Sequence, residues 1–173
     1  DAATTNTGIL SRTALVQAGL TIVCLFTPEH GISANAPDGE AQQNSMDTIT
    51  GLPIISLYGN KSMPTAQDLE NIDIVLFDIP DIGARFYTYL WTLTYVLEAC
   101  ALYHKQLIVL DRPNPVSGNF DAAEGPFMDD TTSSFIGRWN IPIKHSCTLG
   151  ELALYFNSIK NIGASLTVVT IKN

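Results

Sequence analysis

Three short apolar runs, each ending abruptly in charged and polar residues, organise this chain. They cover residues 21–31 (TIVCLFTPEHG), 72–89 (IDIVLFDIPDIGARFYTY) and 106–115 (QLIVLDRPNP). Each is rich in β-branched residues and nearly free of polar alternation. That is the pattern of strands buried on both faces of a parallel sheet. In open α/β sheets, ligands bind just beyond the carboxyl ends of the strands. The pattern therefore predicts that Glu29, His30, Asp78, Asp81, Arg85, Asp111, Arg112 and Asn114 gather on one rim.

The intervening segments complete an alternation of strands and helices. Residues 10–18 read as a short helix stopped by Gly19, and 21–26 as the first clear strand. Residues 33–50 are polar and aperiodic, a long excursion of the kind that is usually functional. Residues 53–58 form a second strand. Thr65, followed three residues later by Asp68, marks a helix N-terminus. Residues 74–77 form the third strand, and Leu90, Leu93, Leu97 and Ala101 trace one face of the helix after it. A fourth strand covers 107–110, and 116–140 is irregular. A helix over 148–159 opens with a capping box, Thr148-x-x-Glu151. A last strand covers 166–171. The predicted fold is a Rossmann-like, three-layer α/β domain spanning residues 1–173, with a mostly parallel sheet and helices on both faces. The final strand has no closing helix, so the chain reads as part of a longer protein.

Composition narrows the function. The chain has 173 residues, 46% of them hydrophobic and 15% charged, which suits a globular domain with a real core. Its net charge of −8 excludes a general nucleic-acid binder, which needs a basic surface. No apolar run reaches the ~20 residues that cross a bilayer. Cys24, Cys100 and Cys147 match no zinc or redox spacing and read as packed free thiols.

The candidate chemistry lies in four clusters. Glu29 and His30 sit between Pro28, which stiffens the turn, and Gly31, which permits an unusual backbone angle. A carboxylate held there, partly out of water, suits a general acid; the plainer alternative is a loop carboxylate capping a turn. In DIPDIGARFYTY, Asp78 and Asp81 bracket a proline. Arg85 offers a planar fork, either to a substrate carboxylate or to an internal aspartate, and Tyr87 offers a hydroxyl or a stacking face. LDRPNP places Asp111, Arg112 and Asn114 at another strand end, with an Asx turn and a solvated Arg112 as the structural alternative. Glu124 lies in AEGP, and His145 precedes a helix. Their spacing is not that of a metal site. Signatures for dinucleotide binding, a phosphate loop and a serine elbow are missing. What remains is acid–base chemistry run by carboxylates on a polar small substrate, with no cofactor.

The motifs TNTG, LFTPEHG, TGLPIISLYG, FDIPDIGARFYTYLWT, VLDRPNP, AEGP and IPIKHSCTLGELALYFN follow one another in order. Together they resemble the exo-β-N-acetylmuramidases, a glycoside hydrolase family long known only as a domain of unknown function. The resemblance runs from about Thr5 to the end of the chain. It implies the Rossmann-like N-terminal domain of a longer protein, whose smaller C-terminal domain would complete the cleft. It also implies removal of terminal β-linked N-acetylmuramic acid from the non-reducing end of peptidoglycan fragments, in a periplasmic or secreted setting. Glu29 matches the acid of the Pro-Glu-His-Gly motif. Glu124 matches as a second candidate catalytic carboxylate, and His30, Arg85, Tyr87, Asp111 and Asn114 as cleft residues. Asp78, Asp81, Arg112 and His145 complete the substrate-binding set from the residue patterns alone. The chain departs from the family pattern at Pro80, where Gln is common, and at Ser146-Cys147, where Gly-Met is more usual.

Two other functions fit the same residues. One is a cell-wall sugar-binding domain without catalysis. The other is a metal-dependent hydrolase using His30, Asp78, Asp81 and His145.

Overall fold

The computed structural model describes residues 3–37, 39–40 and 43–172. Residues 38, 41 and 42 of the expected 33–50 loop, and residues 1, 2 and 173 of the expected domain, lie outside them. The chain divides into two compact units, Asp1–Ile72 and Asp73–Asn173. The fold is α/β with mostly parallel pairing, in two three-stranded sheets rather than one.

The first unit contains α1 (Ser11–Gln17), β1 (Leu25–Thr27), β2 (Ser45–Met46) and β3 (Pro53–Ser56). β1 pairs parallel to β3, from Leu25 opposite Ile54 to Thr27 opposite Ser56. β2 pairs antiparallel on the other side of β3. The strand expected over 21–26 begins only at Leu25. The register explains this, because Cys24 would face Pro53, which has no N–H to give the ladder. β2 escaped notice because two exposed residues carry no periodicity. The helix expected from Thr65 is a series of turns. Thr65 and Asp68 do make the predicted reciprocal bonds. The segment stays as turns up to Ile72, just before the next strand starts.

The second unit contains β4 (Ile74–Phe77), α2 (Thr88–Leu102), β5 (Gln106–Leu110), α3 (Leu149–Ile159) and β6 (Ser165–Val169). All three strands are parallel, in the order β4-β5-β6. α2 and α3 pack on each other and on β5 and β6. Val75, Phe77, Leu107 and Val109 are buried, while the alternate residues Leu76, Ile108 and Leu110 are half-buried. The strands are therefore better covered on one face than the expected burial on both. α2 is apolar nearly all round, and Leu90, Leu93 and Leu97 have no exposed surface. Its buried threonines satisfy their hydroxyls on its own carbonyls, Thr92 on Thr88 and Thr94 on Trp91. No described helix is long and apolar enough to cross a membrane.

All three cysteines are free thiols. Burial pushes the Cys100 thiol up to about 12, so it packs as a small hydrophobe.

Asp47 ties the first unit together. Its carboxylate accepts from Arg12 Nε at 2.9 Å and from the Thr50 backbone at 3.1 Å. Burial pushes this carboxyl up, but the Thr50 and Arg12 bonds outweigh it and hold it below its ordinary value. A carboxyl depressed by folding contributes stability above its unfolded pKa of about 4 and loses it as pH falls through the folded value. Denaturation measured from pH 6 to pH 2 should show stability declining below about pH 4. Asp47→Asn should flatten that decline. A profile that the substitution leaves unaltered would remove Asp47 from this role.

Candidate functional site

Glu29 and His30 follow β1 in the first unit. Glu29 is only 6% exposed. Its Oε1 accepts the Gly39 backbone N–H at 3.1 Å. His30 (φ 69°) and Gly31 (φ 70°) are consecutive left-handed residues, a conformation glycine adopts freely and histidine does not. The backbone thus reverses directly after the acid. His30 Nδ1 lies 2.9 Å from the Ala36 carbonyl, so Nδ1 carries the proton and donates to it. Glu29 is thus a buried carboxylate that accepts a backbone N–H of a later turn, which fits both the fixed-acid reading and the turn-capping one.

The remaining candidates belong to the second unit. There the loops after β4, after β5 and before α3 come together through side-chain ties. Arg112 pairs bidentately with Asp78, Nε to Oδ1 at 2.6 Å and Nη2 to Oδ2 at 3.0 Å. Asp111 Oδ2 accepts from Thr148 Oγ1 at 2.7 Å, and its Oδ1 accepts from Gly150 N at 2.8 Å. Asn114 donates to the Cys147 carbonyl at 2.9 Å. Its Oδ1 accepts from Val116 N and Ser117 N, the expected Asx turn. Gly83 (φ 83°) lies against Asn114 so closely that a Cβ there would collide with Oδ1.

Among the described residues Arg85 pairs with no aspartate, one of the two alternatives open to it. Its Nη1 donates to the carbonyls of Pro126 at 2.8 Å and Ile141 at 2.5 Å. Arg112, for which solvation was the structural alternative, takes Asp78 instead. Spacing alone could not separate them, because each arginine stands within reach of several acceptors.

Asp81 and His145 form a buried pair, with Oδ2 3.1 Å from Nε2. The approach is close, but it is not a well-aligned hydrogen bond. His145 Nδ1 accepts from Cys147 N at 3.4 Å, which places the ring proton on Nε2, facing Asp81. Asp81 Oδ2 also accepts from Gly83 N. Ser146, next to the pair, is buried with φ 54° and has an unpartnered hydroxyl. Such a left-handed angle is one that glycine adopts without strain and serine does not.

Glu124 and Tyr87 remain accessible. The Glu124 side chain is 74% exposed, 3.3 Å from Lys144 Nζ. Backbone bridges join Lys144 to both Glu124 and Ala84, so Glu124 and Arg85 stand on neighbouring segments. Tyr87 is half-buried, its ring centroid 4.6 Å from that of Tyr89. Among the described residues, no three His, Cys, Asp or Glu side chains gather as a metal site.

Sequence reasoning missed Lys144, Thr148 and Gly150 as partners of the site. Gly150 had a signal, as a glycine in the first turn of a predicted helix, where that residue is disfavoured; a Cβ there would collide with Val168 and Asp111.

The family described as "Exo-beta-N-acetylmuramidase NamZ, N-terminal" matches residues 1–173. The chain is 45% identical over 152 residues to the "Peptidoglycan beta-N-acetylmuramidase NamZ" of Bacillus subtilis (strain 168). That alignment covers 88% of this chain and 36% of the relative. Crystal structures of two DUF1343 family proteins from Bacteroides fragilis NCTC 9343 share the fold. One is 37% identical with a TM-score of 0.86, covering 97% of this chain and 42% of that one. The other is 34% identical with a TM-score of 0.82, covering 99% and 44%. The chain thus spans well under half the length of these relatives.

Ser146→Gly should stabilise the protein by up to about 1 kcal/mol, since it removes a left-handed side chain and an unpartnered buried hydroxyl together. Denaturant titration of the two proteins measures it. A clear loss of stability would mean that the hydroxyl has a partner worth more than the strain.

Proposed function

We propose, for a chain that belongs to the exo-β-N-acetylmuramidase NamZ family by its N-terminal domain, that it is the acid-bearing part of a glycoside hydrolase. The reaction is release of terminal β-linked N-acetylmuramic acid from the non-reducing end of peptidoglycan fragments. The named activity of the Bacillus subtilis relative supports the substrate. The observation in the chain itself that carries the reading is Glu29: a buried carboxylate at the carboxyl end of β1, fixed by a backbone N–H in a stiffened turn.

Hydrolysis of this bond needs a proton for the leaving oxygen and a second carboxylate, either as nucleophile or as base toward water. Glu29 is the proton donor. Glu124, exposed and carried on a bridged segment, is the second carboxylate. His30 and Tyr87 contact the sugar. Asp78, Asp81, Arg85, Asp111, Arg112, Asn114 and His145 act on the substrate mainly by fixing the loops that form the wall of the cleft. A C-terminal domain, in the length that the relatives have beyond this match, completes that cleft. The peptidoglycan substrate supports a periplasmic or secreted location.

The metal-hydrolase alternative needs Asp78, Asp81 and His145 to turn toward an ion. Asp78 is taken up by Arg112, and Asp81 faces His145. A sugar-binding domain without catalysis would share every contact except the catalytic roles of Glu29 and Glu124.

The test is Glu29→Gln in the full-length protein, on a chromogenic N-acetylmuramic acid β-glycoside. Glutamine keeps an acceptor for the Gly39 N–H, so melting temperature should stay put. kcat should fall at least ~10²-fold, the scale of losing a general acid. Turnover near wild type would remove Glu29 from the catalytic role.

A further inference from the structure

A small recess opens beside the Glu29 turn, wholly within the first unit. Its volume is about 150 Å³, and its lining includes Thr27, His30, Ser33, Asn35, Gln43 and Ser45. Ile32, Ala36 and Ile54 add apolar surface. Whole small-molecule sites usually measure about 300–1,000 Å³. This one is smaller than that range. It is several times the roughly 10–15 Å³ of such space that one water needs. Its size suits a single substituent of a few heavy atoms.

The lining chemistry narrows that substituent. Hydroxyls, carboxamides and one imidazole give both donors and acceptors, and the isoleucines give a place for a methyl. The described lining residues include no Lys or Arg. A carboxylate, such as the lactyl group of muramic acid, would enter without a cation to balance it, at a substantial desolvation cost. A neutral amide ending in a methyl group matches both the polar and the apolar parts.

Position narrows it again. The recess is bounded by Thr27 and by His30 and Gly31, the residues on either side of Pro28-Glu29. The two left-handed residues at its wall and the His30 bond to the Ala36 carbonyl hold that wall rigid. Glu29, as proton donor, must stand at the oxygen bonded to the anomeric carbon. The substituent on the adjacent ring carbon, C2, then lies only a few bonds away. In N-acetylmuramic acid that substituent is an acetamido group.

We propose that this recess is the specificity pocket for the 2-acetamido group of the terminal sugar, with Asn35 and Ser45 among its determinants. The inference rests on the hydrolase reading above and assigns one part of its substrate to one place. The lactyl carboxylate lies outside the recess. The acetyl group is held by the same turn that carries the acid, so acetyl recognition and proton transfer share one rigid element.

The experiment uses the full-length protein and two chromogenic β-glycosides, of N-acetylmuramic acid and of its de-N-acetylated counterpart. Asn35 and Ser45 are exposed, so replacing them should leave folding intact, which a thermal melt checks. Asn35→Ala should lower kcat/KM on the acetylated substrate by about tenfold, the scale of one lost hydrogen bond. Ser45→Leu, which fills the recess, should lower it further. Both variants should act on the de-N-acetylated substrate within about twofold of wild type, because nothing there enters the recess. Equal losses on both substrates, or none on either, would overturn the assignment. Calorimetric binding of free N-acetylmuramic acid and free muramic acid separates this failure from failure of the hydrolase reading. A wild-type protein that turns over neither glycoside, yet binds the acetylated sugar in an Asn35- and Ser45-dependent way, sinks the hydrolase and keeps the pocket. One that shows neither turnover nor acetyl-dependent binding sinks both.

Discussion

The second unit depends on how closely α3 approaches the end of β5. Asp111 closes that strand and holds the first turn of α3 through Thr148 Oγ1 and Gly150 N. The first backbone N–H groups of a helix have no partner within it, and a carboxylate placed there meets both their hydrogen-bonding need and the helix dipole. The fit leaves no space for a side chain. A Cβ on Gly150 would stand 2.6 Å from Val168 and 2.7 Å from Asp111. Because α3 is seated this tightly, the segment before it is fixed in turn. That segment carries Cys147, which Asn114 holds, and His145, which faces Asp81. The ends of β4 and β5 and the start of α3 thus form one braced surface.

In the first unit the proposed general acid is held in a different way. A general acid must be fixed, shielded and next to its substrate. Here a stiff turn, two left-handed residues and a backbone N–H hold Glu29 at the end of a three-residue strand. Left-handed backbone at a non-glycine residue is a small strain that tends to persist where it serves a site. His30 carries such strain beside the proposed acid. Ser146 carries it beside the Asp81–His145 pair, where its buried hydroxyl gains no bond in return.

What the sequence disclosed follows from what patterns encode. The strand cores of β4 and β5, the buried stripe of α2 and the capping box of α3 were all legible, because each is a local regularity. The positions of Glu29, Asp78 and Asp111 at strand ends were legible for the same reason. Pairing was not. Arg85 and Arg112 look alike in sequence, yet one ends on main-chain carbonyls and the other on Asp78, a difference set by direction and not by spacing. β1 fell short of its apolar run because its partner strand starts at a proline, a fact about the neighbour. The 65–72 segment makes the bonds of a helix N-terminus but does not continue into a helix. The recess beside Glu29 is built partly from the polar stretch that sequence could describe only as a long excursion.

In the proposed site two acids, Glu29 and Glu124, react and the others brace, and Asp111 tests that division most directly. Asp111→Ala in the full-length protein leaves Thr148 and Gly150 without their acceptor. The expected result is a loss of about 1–3 kcal/mol, seen as a lower melting temperature. Turnover per folded molecule, measured well below that melt, should stay within about threefold of wild type, since groups that do not touch the transition state leave its energy unchanged. An unchanged melting temperature with turnover down by about a hundredfold or more, the scale expected of a group acting in the reaction itself, would contradict the account and move Asp111 from the brace to the chemistry.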